Sequence, residues 1–233
     1  MVQASKTQID RLGDRLRKGP VERSDLLLLD GYRRSFGPAY ESVVQTIRDE
    51  LELEPSGRPA KSTNSLVEKL KRESIRLTQV QDIAGCRVVV PDILEQNRVV
   101  GLLLSGAFPE ACVVDRREKP SYGYRAVHVI VEISGKPVEI QVRTTFQHIW
   151  AEISEKYADL YGSDIKYGRG PQEIRRILEE VSALIGKYED LEEGLGQEAE
   201  SVKLRDKMNK IRKDLAEILD EEISRVDNIR GKG

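Results

Sequence analysis

Between Ala126 and Arg143 the chain alternates apolar and polar residues on either side of a short Ser134-Gly135-Lys136-Pro137 break. No other segment constrains the fold as tightly. A strand sends successive side chains to opposite faces, so Val138, Ile140 and Val142 go one way and Glu139, Gln141 and Arg143 the other. The pattern predicts a β-hairpin over 126–133 and 138–143, buried on one face. A two-residue turn at Gly135-Lys136 pairs Glu132 with Glu139, Ile130 with Gln141 and His128 with Arg143. That face is either ordinary solvated sheet surface or a site. Two observations favour a site. Glu132 opposite Glu139 is a like-charge pair, unfavourable unless a cation or separation relieves it. Residues 116–125 also gather Arg116, Arg117, Lys119 and Arg125 with Tyr122 and Tyr124. Cations and flat rings suit a nucleotide, the first for phosphate and the second for the base.

Around the hairpin the pattern is mixed. Gly85–Val90 is a β-branched run closed by Pro91-Asp92 and predicts a strand, and Ala111–Asp115 predicts a second. Ser65–Arg76 and Ile93–Leu104 predict helices. The expected fold is therefore α/β, a mixed sheet flanked by helices, over residues 55–163. Residues 1–54 and 164–233 are expected to be helical extensions. In the first, Thr7–Leu16 is one helix, Asp25 is a candidate cap for the next, and Val43, Val44, Ile47 and Leu51 form a stripe. Gly37-Pro38 is expected to break or kink that region, and Pro55-Ser56-Gly57 to open a loop. In the second, Thr145–Leu160 leads through a glycine-rich loop at 162–170 to a helix begun by Pro171. Its expected inward stripe is Ile174, Ile177, Val181, Leu184, Tyr188 and Leu191. A last helix carries Leu204, Met208, Ile211, Leu215, Ile218 and Val226 at coiled-coil spacing. That seam packs on its own chain or makes a homo-oligomer contact; both readings stand. Charged residues at 33% suit such long solvated helices.

Composition narrows the function classes. Lys+Arg is 38 against Asp+Glu 40, a net charge of −2, which argues against a dedicated duplex-DNA binder. The first residues have no apolar core for a signal peptide, and no run is long enough to span a membrane. Cys86 and Cys112 sit in apolar contexts and read as buried thiols of a reducing, cytoplasmic compartment. With only His128 and His148 besides, they make no convincing zinc site.

Two further clusters carry candidate chemistry. The first runs from Gly57 and Arg58 through Lys61 to Ser65, then Lys69, Lys71 and Arg72. Ser65 or Asn64 is the expected helix cap, and helix N-termini favour anions. A capped helix with a basic solvated face is the plain alternative. It is not a P-loop, because only three residues separate Gly57 from Lys61. The second is Asp82, at the entrance of a strand, where a carboxylate can hold Mg²⁺ and leave the remaining positions to phosphate and water. A turn aspartate is the alternative there.

Taken together, four segments resemble the synthetase domain of the RelA/SpoT alarmone synthetases, especially the small single-domain members. They are Arg58–Lys61–Ser65–Lys69, Asp82–Arg87, Gly123–His128 and Glu139–Thr144, in the family order over residues 40–160. The resemblance implies a Mg²⁺-dependent transfer of pyrophosphate from ATP to the ribose 3′-hydroxyl of GDP or GTP. It implies that Asp82 and Glu139 hold Mg²⁺, with Glu139 also drawing the 3′-hydroxyl proton. Arg58, Lys61, Ser65, Lys69 and Arg72 would form the ATP phosphate site, supported by Arg87. Tyr124 would stack on the acceptor base, with Lys119, His128, Gln141 and Arg143 as further acceptor contacts. The chain departs from the family pattern at two places. Arg58 and Lys61 stand three apart rather than two, and Ser121-Tyr122 precedes the Gly-Tyr pair. A His-Asp hydrolase centre is absent from the sequence, so no alarmone hydrolase activity is expected. His148, Glu152 and Glu155 share a helix face and read as helix surface. Relatives that modify the tRNA 3′ end or adenine nucleotides supply one rival reading. A catalytically silent helical interaction protein supplies another.

Overall fold

A computed structural model describes the backbone of residues 4–196 and 202–231, without the side chains of 195, 196, 202–205 and 207. Helices α1 (Lys6–Lys18), α2 (Arg23–Arg34) and α3 (Gly37–Leu51) come first. Strand β1 (Ser56–Arg58), helix α4 (Thr63–Arg72), strand β2 (Ala84–Val90), helix α5 (Ile93–Leu102) and strand β3 (Cys112–Asp115) follow. Strands β4 (Val127–Ile133) and β5 (Lys136–Thr144) then lead to α6 (Thr145–Tyr161), α7 (Gln172–Gly196) and α8 (Val202–Arg230). The strands form one five-stranded sheet in the order β1-β2-β5-β4-β3. The expected mixed sheet with flanking helices is what the chain forms.

The chain divides into two compact units. The first comprises Met1–Val88, Leu102–Val113 and Val129–Gln141. Here the predicted alternation holds: Val129, Val131, Val138 and Ile140 are buried, whereas Ile130, Glu139 and Gln141 are partly exposed. Strand β2 does the same, burying Ala84, Cys86 and Val88 while Gly85 and Arg87 stay partly open. The hairpin turn is Ser134-Gly135, not Gly135-Lys136, and both residues have positive φ, 51° and 73°. Positive φ at both central positions matches the twist of two-residue hairpins. Closing the strands there sets Glu132 against Pro137 rather than Glu139, which removes the expected like-charge pair and leaves the faces unchanged.

Several local expectations shift. Residues 56–58 form a strand rather than a loop, pairing antiparallel with β2, Ser56 with Arg87, Gly57 with Cys86 and Arg58 with Gly85. The cap of α4 is Ser62, whose Oγ accepts from the Ser65 amide at 3.2 Å, so Ser65 lies inside the first turn. Asp25 is not a cap but a first-turn residue of α2, bound by Arg15 Nε at 2.8 Å. Gly37-Pro38 begins α3, where a missing amide proton costs nothing. Cys86 is buried as expected, but Cys112 is exposed, because β3 lies at the sheet edge.

The second unit comprises Val89–Gly101, Val114–His128 and Val142–Gly233. Its core joins Phe146, Trp150 and Tyr157 of α6 to Ile174, Leu178, Val181, Ile185 and Tyr188 of α7. Leu178 and Ile185 join the α7 stripe, in which Ile177 is only partly buried against the core, while Leu184 and Leu191 are exposed. Both sets keep helical spacing; the one facing the neighbouring helices is buried. In α8, Met208, Leu215, Leu219 and Val226 are buried within this same core, while Ile218 is exposed. Leu204 lies outside the described side chains. No helix among the described residues is long and apolar enough to cross a membrane.

The β1–β2 pairing depends on Gly57. A Cβ there would stand 2.4 Å from the Gly85 carbonyl oxygen and 2.6 Å from the Cys86 Cα. Both obstacles are backbone and cannot swing aside. Gly57→Ala should therefore cost about 2 kcal/mol, the range of an overpacked core position. Thermal unfolding should show a midpoint lower by roughly 4–8 °C. An unchanged midpoint would mean that β1 is not held this closely.

Candidate functional site

In the first unit two of the candidate residues, Lys61 and Lys69, meet at Asp82. Backbone pairing sets the approach: the Lys61 amide donates to the Ile83 carbonyl at 2.6 Å, beside the β1–β2 pairing. Lys61 Nζ then lies 2.6 Å from Asp82 Oδ2, and Lys69 Nζ, one turn and a half into α4, lies 2.9 Å from Oδ1. All three side chains are about one-fifth exposed. Burial alone would push the Asp82 carboxyl up. The Lys61 and Lys69 charges, with their hydrogen bonds, overcome it and hold Asp82 below the ordinary value. Asp82 is thus an anion with a cation on each oxygen.

Glu139 stands on β5, next to β2 in the sheet. A Cβ at Gly85 would come within 3.0 Å of the Glu139 carbonyl oxygen. Gln141 Nε2 donates to Glu139 Oε2 at 2.6 Å. Burial and the Glu139 charge push the Cys86 thiol up to about 12, so Cys86 is an inert thiol rather than a nucleophile. Arg87 is on the partly open side of β2. Arg72 points to Glu73 at 3.0 Å, and Arg58 ends β1 exposed. Glu73 also lies 3.9 Å from Lys69 Nζ. Ser65 Oγ accepts from Ser62 Oγ at 2.8 Å.

In the second unit a separate group forms. Arg143 is buried. Its Nη2 donates to Tyr124 Oη at 2.9 Å, and its guanidinium lies 5.1 Å from the Tyr124 ring centroid. Having accepted that bond, the Tyr124 hydroxyl can turn its own proton to His128 Nε2, 3.0 Å away. Lys119 is exposed. His148 pairs with Glu152 at 3.5 Å and Glu155 with Lys166, so that helix face is surface, as expected. No cluster of three or more metal-ligating side chains occurs among the described residues.

What the motifs did not reveal is the role of α7 in this group. Its residues Leu178, Ser182, Gly186 and Glu189 follow a three- and four-residue spacing along one face. The Leu178 carbonyl accepts from Trp150 Nε1 at 2.8 Å, and Ser182 Oγ from Arg125 Nε at 3.3 Å. A Cβ on Gly186 would meet Arg125 Nη2 at 2.3 Å. Glu189, only 4% exposed, accepts from Thr144 Oγ1 at 2.7 Å and from Gln147 Nε2 at 2.9 and 3.0 Å. Thr144 in turn caps α6 and follows Arg143 directly. Gln96, fully buried, completes the network by donating to the Val142 carbonyl and Gln147. A glutamate within a charged helical repeat carries no signal of this in sequence; only its burial does.

Burial pushes the Glu189 carboxyl up, more than its hydrogen bonds to Thr144 and Gln147 and the Arg125 and Arg117 charges pull it down. A raised folded value means the native state holds the proton over a window above the ordinary carboxylate value. Stability from this group therefore falls as pH rises through that window. Glu189→Gln removes the titration. Thermal melts stepped from about pH 4 upward should show the wild type losing ground to the variant. Parallel curves would show that Glu189 does not titrate this way.

Residues 57–163 match the region found in RelA / SpoT proteins. An uncharacterized protein of Mycobacterium tuberculosis is 36% identical over 137 residues, covering 56% of this chain and 50% of that protein. The chain thus spans about half the length of that mycobacterial relative. GTP pyrophosphokinase YjbM of Bacillus subtilis is 30% identical over 151 residues, 56% of this chain and 71% of YjbM. Among solved structures, small alarmone synthetase 1 of Bacillus subtilis bound to its product pppGpp has the same fold. Its TM-score is 0.55 at 21% identity, over 73% of this chain and 99% of that one. A GTP pyrophosphokinase family protein of Streptococcus pneumoniae superposes with a TM-score of 0.51 at 26% identity, over 85% and 98%. The match over residues 57–163 and the 30% identity across 71% of YjbM show that the chain belongs to the RelA/SpoT family.

Proposed function

We propose that this protein transfers the β,γ-pyrophosphate of ATP to the ribose 3′-hydroxyl of GDP or GTP and releases AMP. The observation that carries the reading is Asp82, held ionised between Lys61 and Lys69. Such a cluster suits a polyphosphate, because the ammonium groups can turn to phosphate oxygens while a divalent cation takes their place on the carboxylate. The names of two relatives support it: one is a GTP pyrophosphokinase, and one was solved with pppGpp.

The 3′-oxygen of the acceptor bonds to the β-phosphorus as the bond to the α,β-bridging oxygen breaks, and AMP leaves with that oxygen. Glu139 takes the hydroxyl proton. Lys61 and Lys69 hold the transferring phosphates, with Ser65, Arg58, Arg72 and Arg87 as further phosphate contacts. Tyr124, His128, Gln141, Arg143 and Lys119 hold the acceptor. Asp82 and Glu139 fit Mg²⁺: both are hard oxygen donors, and Asp82 already draws two cations to its oxygens. When bound, the ion would neutralise charge on the polyphosphate.

The test is transfer of label from γ-labelled ATP with Mg²⁺ to GDP, GTP, adenine nucleotides or bulk tRNA. Label on GDP or GTP with matching AMP is expected. Label on tRNA or adenine nucleotides alone would move the acceptor elsewhere, and no transfer at all would overturn the reading. Glu139→Gln should lower turnover by at least about 100-fold, the scale of general-base loss, with an unchanged melting curve. Turnover surviving that change would remove Glu139 from the mechanism.

A further inference from the structure

Lys69 and Asp82 meet at 2.9 Å although they stand 13 positions apart in the chain. Lys69 lies in the last turn of α4. Between the end of α4 at Arg72 and the start of β2 at Ala84, the only regular structure is a 3₁₀ turn, Leu77–Gln79. Such a connection does not fix the distance between its ends, because most of its backbone groups have no ladder partner. Helix α1 supplies the restraint, from 53 to 68 positions away.

Arg17 holds one end of the connection. Its Nε donates to the Leu70 carbonyl at 2.8 Å and its Nη2 to the Ile75 carbonyl at 2.5 Å. The last carbonyls of a helix lack intrahelical partners and carry the negative end of its dipole, so a guanidinium suits them. Its fork joins the end of α4 to the chain beyond, which a compact ammonium does less well. Asp14 Oδ1, 3.2 Å from Arg17 Nη1, steadies the guanidinium. Asp10 holds the other end: its Oδ1 accepts from the Thr78 amide at 3.2 Å and from Thr78 Oγ1 at 2.7 Å. Between them Gly13 lets α1 come close, since a Cβ there would stand 2.8 Å from Leu77 Cβ, and both residues are buried. Asp10, Gly13 and Arg17 follow three- and four-residue steps, so one face of α1 carries all three. That face grips the stretch whose two ends bear Lys69 and Asp82, and Leu70 directly follows Lys69.

We infer that Arg17, with Asp10 at the opposite end, is a positioning residue of the ATP site, setting Lys69 against Asp82 through the connection between them. The inference rests on the proposed function and adds residues from outside its motifs. The experiment is equilibrium binding of a non-hydrolysable ATP analogue with Mg²⁺, and separately of GDP, to the wild type, Arg17→Met, Lys69→Met and the double variant, with a melting curve for each. Arg17→Met keeps the unbranched side chain and loses the donors. It should bind the analogue about ten-fold more weakly, the scale on which a partner behind a ligating residue acts, and bind GDP as the wild type does. In the Lys69→Met background the same change should have no further effect, because its route to the ligand is gone. An equal loss in both backgrounds would overturn the inference, by showing that Arg17 acts independently of Lys69. Unchanged analogue binding by Arg17→Met would also overturn it. So would equal loss of both ligands with a lower melting point, which assigns Arg17 to packing. Should Arg17→Met not fold, Asp10→Ala releases the other end of the connection and is read by the same cycle, with the same outcomes deciding. A wild type that binds GDP but not the analogue would overturn the ATP-site reading itself.

Discussion

A strand buried on one face has to alternate, and β2 and β5 both obey this. In the first unit, burying Ala84, Cys86, Val88, Val138 and Ile140 forces Gly85, Arg87, Glu139 and Gln141 to the other side. That single constraint lines up a cation, a carboxylate and an amide without any of them selecting the geometry. Close approach does the rest. Glycine at 57 lets β1 run against β2, and glycine at 85 lets β2 run against β5 at Glu139. Larger residues at either place would separate backbones and move every polar group that depends on them.

The two candidate groups handle buried charge in opposite ways. Asp82 is paid for by two ammonium groups and stays ionised more firmly than a free carboxylate. Glu189 receives only neutral donors directly, so desolvation dominates and its carboxyl is pushed up. The first arrangement suits exchange, because cations released from Asp82 can meet an incoming anion. The second suits rigidity, because a buried network with every partner present has one low-energy arrangement. Through Thr144 and Gln147 that network fixes the end of β5 just beyond Arg143, while Trp150 ties α6, and Arg125 ties the segment bearing Tyr124, to α7.

Legibility in the sequence differed by residue. Asp82, Lys61, Lys69 and Glu139 were singled out from short motifs, and the fold brings the first three of them into contact. The faces of β4 and β5 were readable from period two, yet the turn was one residue out. Alternation identifies faces, while the turn depends on which residues accept positive φ, and Ser134 accepts it here. Ser62, not Ser65, caps α4, since both have the same chemistry and only the backbone entering the helix distinguishes them. In α7 the choice between Ile177 and Leu178, or Leu184 and Ile185, was open because an apolar residue stands at each.

By itself, then, the sequence determined the element types, the buried face of each central strand and the charged character of the segments that supply Lys61, Lys69 and Asp82. These follow from local periodicity and from side-chain charge, properties that a segment carries wherever it is placed. Tertiary structure alone decided that both lysines share Asp82 and that Gly57 belongs to a strand. It also decided that Glu189 is buried under Thr144, and that Arg17 and Asp10 of α1 hold the chain between Lys69 and Asp82. Each of these depends on a partner distant in the chain, and burial and desolvation exist only once that partner has arrived.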